Sequence, residues 1–365
     1  MKIRVAAIEA KGGPFIFRDV EMDEPRADEV LVRVVATGVC HTDAHVRNQG
    51  YETPLPIVLG HEGAGVVEKT GADVRALEVG DHVVMSFPSC GRCAQCIAGH
   101  PAYCDHNLRL SFGAARLDGS NALHDGLHGH FFGQSSFATY SLASERNVVK
   151  VPKDVPLELL GPLGCGFQTG AGAVLNVLDV GVGTSLVVLG TGGVGLAAIM
   201  AARAVGADPI IAVDISDERL ARARELGATH GINGNTEDVK ARIHEITGRG
   251  AELVIDLTGQ PKMLALAVEA LAPLGTAALI GASATGTQAP IDMSTLLNGR
   301  SVRGIIQGDA IPQLFIPKLV QLYRAGRFPF DRLVQFYEFE DIERAFEDSK
   351  QGKTVKPVLR IGTLH

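Results

Sequence analysis

Positive charge never gathers in this sequence. No long run of lysine or arginine occurs, and the formal net charge is −7. A nucleic acid or an anionic membrane is therefore not expected as a partner. A membrane-spanning run is missing too. The most apolar stretch, TSLVVLGTGGVGLAAIMAARAVG, is broken by glycines and runs into Arg203, so it reads as a buried strand, a loop and a helix. The N-terminal MKIRVAAIEAKGG has no long apolar core of the secretory kind, and a cytoplasmic location is the expectation. No repeats or low-complexity tracts stand out. Cysteine is sparse: six occur in 365 residues, and four of them fall inside the fifteen-residue stretch CGRCAQCIAGHPAYC. In a reducing compartment, thiols this close together point to a metal before they point to disulfides.

What is present has the balance of an ordinary globular protein, 46% apolar and 21% charged. The length suggests two domains, each with its own core. The first 150 residues read as β-rich, with KIRVAAIEA, EVLVRVVATGV, GAGVVEKTG, GDHVVMSF and SSFATYSLASERNVVKVP as β-branched segments punctuated by Gly, Asp and Pro. Around Leu157 the texture changes. SLVVLG, PIIAVDI, ELVIDLTG and GTAALIGA are short, nearly continuous apolar runs, and SDERLARARELGA and PKMLALAVEALAP between them are helical. Buried strands alternating with helices predict a parallel sheet covered on both faces, an α/β arrangement. After SVRGIIQGD come two further helical segments, IPQLFIPKLVQLYRAGRF and DIERAFEDSKQG, and a last strand, KPVLRIG.

The clustered cysteines are Cys90, Cys93, Cys96 and Cys104. Zinc takes four ligands in a tetrahedron, each sulfur at about 2.3 Å. Thiolates two residues apart can turn onto one ion, Gly91 and Gly99 ease the tight backbone, and Pro101 stiffens the return. A site closed by four sulfurs has no open position, so it is expected to pin a loop. The two remaining cysteines, Cys40 in GVCHTDAH and Cys165 in GPLGCGFQTG, flank His61 in GHEGAG. A catalytic zinc needs three protein ligands and one open position, and Cys, His and Cys would supply them. Taken singly, Cys165 could be a small core residue and His61 a hydrogen-bonded turn histidine.

GVCHTD, GHEGAGVV, the four-cysteine loop and GCG occur in an order and spacing that resemble the zinc-dependent medium-chain alcohol dehydrogenases over essentially the whole chain. The resemblance implies Cys40, His61 and Cys165 as ligands of a catalytic zinc, a second, structural zinc on the other four cysteines, and Glu62 able to approach the catalytic metal. Asp43 would be the carboxylate that orients His61. It also implies a GroES-like catalytic domain over residues 1–165 and 308–365 and a Rossmann NAD-binding domain over 166–307.

The dinucleotide site is legible in its own right. VVLGTGGVGLAA places Gly190, Gly192 and Gly195 in the GxGxxG spacing, after an apolar strand and at a helix start, with Gly193 and Val194 inside the motif. Such a turn lets a pyrophosphate approach the helix N-terminus. Asp214 follows Gly195 by nineteen residues, at the end of the second strand. Its carboxylate can accept both adenosine ribose hydroxyls and repel a 2′-phosphate, which predicts NAD over NADP. The resemblance suggests that Arg219 reaches the ribose, though a solvated helix charge is as good a reading, and that His41 faces the pyrophosphate.

Hydride transfer from an alcohol requires its hydroxyl proton to leave. Thr42 could take that proton and His45, three residues on, could deliver it to solvent. FFGQSSFATYSLASERNVVKV and LELLGPLGCGFQTGAGAVLNVL look most like the aryl- and allylic-alcohol branch, which oxidises benzyl-type alcohols and monoterpene alcohols such as geraniol or perillyl alcohol to aldehydes. Phe87 would line the pocket. His124, His128 and His130 read as loop polarity. A homodimer or homotetramer is implied, paired through an edge strand near SVRGIIQGD. Short aliphatic alcohols are the alternative substrates. A zinc-free reductase would lack the Cys40, His61 and Cys165 set, and a zinc-bearing binding module would not need the dinucleotide fingerprint.

Overall fold

The computed structural model describes residues 1–362. The chain forms two compact units. The first comprises Met1–Gly166, Ile311–Lys318 and the segment from Asp331 onward; the second comprises Phe167–Ala310 and Leu319–Phe330.

The first unit is built on a seven-stranded sheet whose spine is the strand Glu29–Gly38. The sequence EVLVRVVATG is buried at nearly every position because it is paired on both edges: with Gly63–Thr70 on one side and with Tyr140–Ser144 and Lys356–Arg360 on the other, all antiparallel. His82–Met85 and Val148–Lys150 extend one side of the sheet, and Val334–Glu338 lies parallel to Lys356–Arg360 at the other end. A smaller sheet joins Phe15–Glu21, Lys2–Ile8 and Ile57–Val58. Its inward residues share a core with Phe131 and Phe137, which are fully buried. Each such aromatic contributes roughly 1.5–3 kcal/mol through loss of apolar surface to water.

The second unit is a doubly wound sheet of the Rossmann kind. Six strands, all parallel, lie in the order His230–Asn233, Ile210–Asp214, Leu186–Leu189, Ala251–Asp256, Leu271–Leu279, Ser301–Gly304. The chain starts in the middle of the sheet, moves to one edge, then returns to build the other half. That reversal creates a crevice at the carboxyl end of Leu186–Leu189, where such folds bind nucleotides. The intervening helices carry their own start and stop signals. Ser216 caps Asp217–Leu226 by accepting the Arg219 N–H, Asp217 and Glu218 fill the first turn, and Gly227 ends it at φ 134°. Leu319–Phe330 belongs to this unit, where Phe330 packs on Phe167 and Tyr323 at ring-centroid distances of 5.7 and 4.7 Å. Four strands lie outside the segments marked in the sequence: Phe15–Glu21, Ile57–Val58, His230–Asn233 and Val334–Glu338. Among the described residues no helix is long and apolar enough to cross a membrane.

Candidate active site and cofactor turn

The spine strand ends at Gly38, and two residues later Cys40 stands as the N-cap of the helix His41–Arg47. Asp43, in the first turn of that helix, reaches back so that its Oδ2 accepts the Cys40 N–H at 3.0 Å. Its Oδ1 accepts the Gly60 N–H at 3.1 Å and lies 2.9 Å from His61 Nδ1. One carboxylate thus joins the helix start, the turn before Gly63–Thr70 and the His61 ring, with both side chains 0% exposed. Nδ1 is engaged, and His61 Nε2 is buried with no hydrogen-bond partner. That orphaned nitrogen belongs to a group with Cys40, Glu62 and Cys165 whose donor atoms all lie within 4.8 Å of one another. Two soft sulfurs and an imidazole nitrogen fit a zinc ion, and a metal would satisfy the buried nitrogen that the fold leaves unpaired here.

Burial works against a charged His61 ring, but the Asp43 carboxylate and Cys40 overcome it, and its pKa lies well above the usual range. The neighbouring Cys165 thiol holds Cys40 well below the ordinary thiol range, while Cys40 and burial raise Cys165. Burial pushes the Glu62 carboxyl up to about 7.

No motif marks the group that answers Glu62. Lys356, on the last strand, places its Nζ 2.9 Å from each Glu62 carboxylate oxygen and 3.3 Å from the Val39 carbonyl. The side chains are 6% and 0% exposed. Burial disfavours the ammonium, yet the Glu62 carboxylate more than offsets it, and the Lys356 pKa is raised. Both Glu62 oxygens thus lie at hydrogen-bond distance from one buried ammonium.

The other four cysteines also converge, with donor sulfurs within 4.8 Å of one another. Backbone N–H groups of Cys90 and His106 point at the Cys104 sulfur at 3.3 and 3.4 Å, and that of Cys93 at the Cys90 sulfur at 3.3 Å. Backbone hydrogen bonds from Asp105 and Cys96 draw the Cys93 thiol down to about 6. The helix Ala94–Ile97 buries no residue, and Ile97 is 75% exposed. A segment with so little apolar packing fits one fixed by a closed tetrathiolate metal.

Thr42, half-buried, has its hydroxyl oxygen 3.9 Å from the Cys40 sulfur. His41 is exposed at the start of the same helix, and the half-buried His45 ring meets Tyr51 edge-on at 4.9 Å. Aromatic contacts continue from there. Tyr51 meets Phe112 at 4.5 Å, Phe112 meets Phe132 at 5.3 Å, and Phe132 lies over His61 at 4.6 Å. Phe132 adopts φ 51°, a left-handed conformation that costs a bulky residue energy and occurs most often where function demands it. Phe87 is 2% exposed and sits in the same core cluster. The three loop histidines divide. His124 is exposed and pairs with Asp23 at 2.7 Å. His130 corrects the reading as loop polarity: it is buried, its Nε2 is unpaired, and burial followed by the Arg116 charge pushes its pKa down to about 4. The bend that carries it into the core has φ 60° at His130 itself. Among the described residues neither group that could hold a metal includes any of these three.

In the second unit, Leu186–Leu189 runs into Gly190 at φ 95°, and Gly192 is the N-cap of the helix Gly193–Ala204. A Cβ at Gly195 would lie 2.1 Å from the Gly190 carbonyl oxygen, so only glycine lets helix and turn approach this closely. Gly192 is exposed, with Gly193 and Val194 half-buried behind it. A Cβ at Gly192 would meet nothing within 4 Å, so the space in front of this helix start is open. Asp214 ends the second strand. Its Oδ2 accepts both the N–H and the hydroxyl of Thr191 at 2.9 Å, and its Oδ1 accepts the N–H groups of Ile215 and Ser216 at 2.8 and 3.2 Å. Arg219 Nη1 stands 3.9 Å from Oδ1 on a partly exposed side chain.

Comparison with known proteins bears on the family and the fold. Residues 26–153 match the model described as alcohol dehydrogenase GroES-like domain, and residues 193–324 match zinc-binding dehydrogenase. The chain is 48% identical to geraniol dehydrogenase of Castellaniella defragrans, over 98% of this chain and 97% of that one. Among solved structures, an alcohol dehydrogenase zinc-binding domain protein from Burkholderia ambifaria is 54% identical with a TM-score of 0.98, covering 100% of both chains. Benzyl alcohol dehydrogenase from Acinetobacter calcoaceticus is 50% identical with a TM-score of 0.97, over 99% of this chain and 100% of that one. With both halves matched and the likeness running end to end, the chain belongs to the zinc-dependent medium-chain alcohol dehydrogenases, and it is an oxidoreductase.

Proposed function

We propose that this protein oxidises primary aryl or allylic alcohols, of the benzyl alcohol, geraniol or perillyl alcohol type, to the aldehydes, with NAD as hydride acceptor. The observation that carries the chemistry is the buried, unpartnered His61 Nε2 grouped with Cys40 and Cys165 while Asp43 holds Nδ1. A zinc ion held by those three residues would supply a Lewis acid for the alcohol oxygen. Thr42 and His45 would carry the released proton outward. The structural zinc would sit on Cys90, Cys93, Cys96 and Cys104, giving two ions per subunit.

The substrate class draws support from two sides. Relatives bear the names geraniol dehydrogenase and benzyl alcohol dehydrogenase. The rings of Phe132, Phe112 and Tyr51 form a continuous aromatic series beginning at His61. Such a wall favours a flat π-system next to the hydroxymethyl carbon, and conjugation stabilises the developing carbonyl. Phe87 would pack behind it. In the second unit, Gly190, Gly192, Gly193, Val194 and Gly195 would take the pyrophosphate, with Asp214 and Arg219 at the adenosine ribose and His41 near the phosphates. On this reading the first unit is the catalytic domain and the second the NAD domain. The edge strand Ser301–Gly304, exposed along its whole length, is where a homodimer, or a homotetramer built from it, would pair. A cytoplasmic location accords with NAD as cofactor.

The test is kcat/KM across benzyl alcohol, geraniol, perillyl alcohol and ethanol, each with NAD and NADP, alongside a zinc assay. Preference for the conjugated alcohols and NAD with about two zinc ions per chain is expected. A preference for ethanol would move the assignment to short aliphatic alcohols.

A further inference from the structure

We propose that Lys356 is a positioning residue that keeps Glu62 from becoming a ligand of the catalytic metal and so holds the fourth coordination position open. The proposal rests on Cys40, His61 and Cys165 being that metal's ligands.

The argument begins with reach. The Glu62 carboxylate is one of the four donor groups whose atoms lie within 4.8 Å of one another, so a small rotation brings it to a metal shared by the other three. It is held back in a niche made for it. A Cβ at Gly38 would stand 2.0 Å from Glu62 Oε2, so the carboxylate occupies space that any other residue at 38 would fill. The Gly166 N–H approaches Oε1 at 3.4 Å. The strong contacts are the two at 2.9 Å from Lys356 Nζ. An ammonium has three donors; two are directed at Glu62 and the third at the Val39 carbonyl at 3.3 Å, so Lys356 is itself anchored.

Charge gives the direction. A divalent zinc with two thiolates and a neutral imidazole sums to zero, and the Glu62–Lys356 pair sums to zero beside it. Without the ammonium, a fully buried carboxylate would be left unpaired, which is among the costliest arrangements in a protein interior. The one remaining cation within reach would be the metal. Zinc takes carboxylate oxygen readily, and the resulting four-coordinate site would be closed, as structural zinc sites are. Lys356 thereby separates a site that can receive an alcohol from one that cannot. It does so without touching the reacting atoms.

The experiment replaces zinc with cobalt(II) and titrates imidazole, which occupies an open position and shifts the cobalt absorption bands. In the unaltered protein imidazole should shift them, and Cys165→Ser should abolish the imidazole-sensitive bands. If it does not, the ligand assignment itself fails, whatever Lys356 does. Lys356→Met should weaken imidazole binding roughly tenfold or more, the size of effect seen when groups around metal ligands are removed. Glu62→Gln combined with Lys356→Met should restore it, because an amide is a poor substitute for the carboxylate. Unchanged imidazole affinity in Lys356→Met overturns the proposal, and so does failure of the double variant to recover. Should Lys356→Met not yield folded protein, Lys356→Gln, which keeps one hydrogen bond and no charge, carries the same test with the same outcomes.

Discussion

Asp43 Oδ1 lies 2.9 Å from His61 Nδ1, and neither side chain reaches solvent. Fixing Nδ1 directs Nε2 to the donor group and raises the basicity of the ring. Asp43→Ala should therefore lower affinity for the catalytic zinc about 10–100-fold. A competition titration against a chelator measures this, with NADH binding as the control that the second unit is intact. Zinc affinity equal to that of the unaltered chain would remove Asp43 from the assignment.

The two cysteine groups should fail differently. Cys93→Ser opens a segment whose helix Ala94–Ile97 buries no residue, so thermal stability should fall first and activity with it. Cys165→Ser should leave a folded chain that binds NADH and does not turn over. Thermal melts, NADH fluorescence and kcat on the same samples separate the cases, and near-full activity in Cys165→Ser would refute its role.

Asp214 should set the choice of cofactor. Asp214→Gly should raise KM for NAD and improve use of NADP by removing both the ribose acceptor and the negative charge. Thr191→Val, which deletes one of the hydrogen bonds that aim the carboxylate, should shift KM in the same direction by less. An unaltered protein that prefers NADP would contradict this.

If His45 delivers the proton to solvent, its loss should matter most where hydroxide and buffer bases are scarce. Oxidation by His45→Gln should fall roughly tenfold near pH 7 and recover partly in alkaline buffer or with an added small base. Thr42→Ala should be worse at every pH, since no diffusible base replaces an acceptor beside Cys40. The pH profiles of kcat decide it. An unchanged profile in His45→Gln with an inactive Thr42→Ala would give the proton another route.

His130 should make the fold sensitive to acid. Burial keeps its ring neutral, with the folded pKa pushed down to about 4, against about 6.5 in an unfolded chain. The unfolded chain therefore binds the proton first. Stability from this group is complete above pH 6.5 and drains away as the pH falls toward 4, by an amount on the order of 3 kcal/mol. Thermal midpoints measured from pH 7 to 4.5 should drop more steeply than those of His130→Gln. Parallel slopes would show that another group controls acid unfolding.

Much of the site could be read from the sequence because its chemistry is local. Cys90 to Cys104 and Gly190 to Gly195 announce themselves by spacing, and Asp214 lies a fixed interval beyond. The four inner strands of the second unit were legible from their apolar runs, but the edge strand His230–Asn233 was not, because its histidine, glycine and asparagine resemble a turn. It is a strand because it pairs with Ile210–Asp214 at the edge of the sheet. Lys356 was invisible for the opposite reason. It reads as an ordinary strand lysine, and its partner is 294 residues away. Only the pairing of Val358 with Gly38 brings them together. Phe131 and Phe132 were hidden likewise, since their place against His61 depends on two left-handed residues, His130 and Phe132, that local preference argues against.

The position of Lys356 also orders events in time. As the chain is made, Cys40, His61 and Cys165 emerge first, and the last strand follows after the whole second unit has been synthesised. At 5–20 residues per second that interval is roughly 10–40 s. Throughout it, Glu62 has no ammonium to hold it, and an ion captured early would meet a fourth donor. Docking of the final strand would then pull that donor away, so the metal centre would become competent only at the end of folding, and newly made protein would carry zinc before it carries activity.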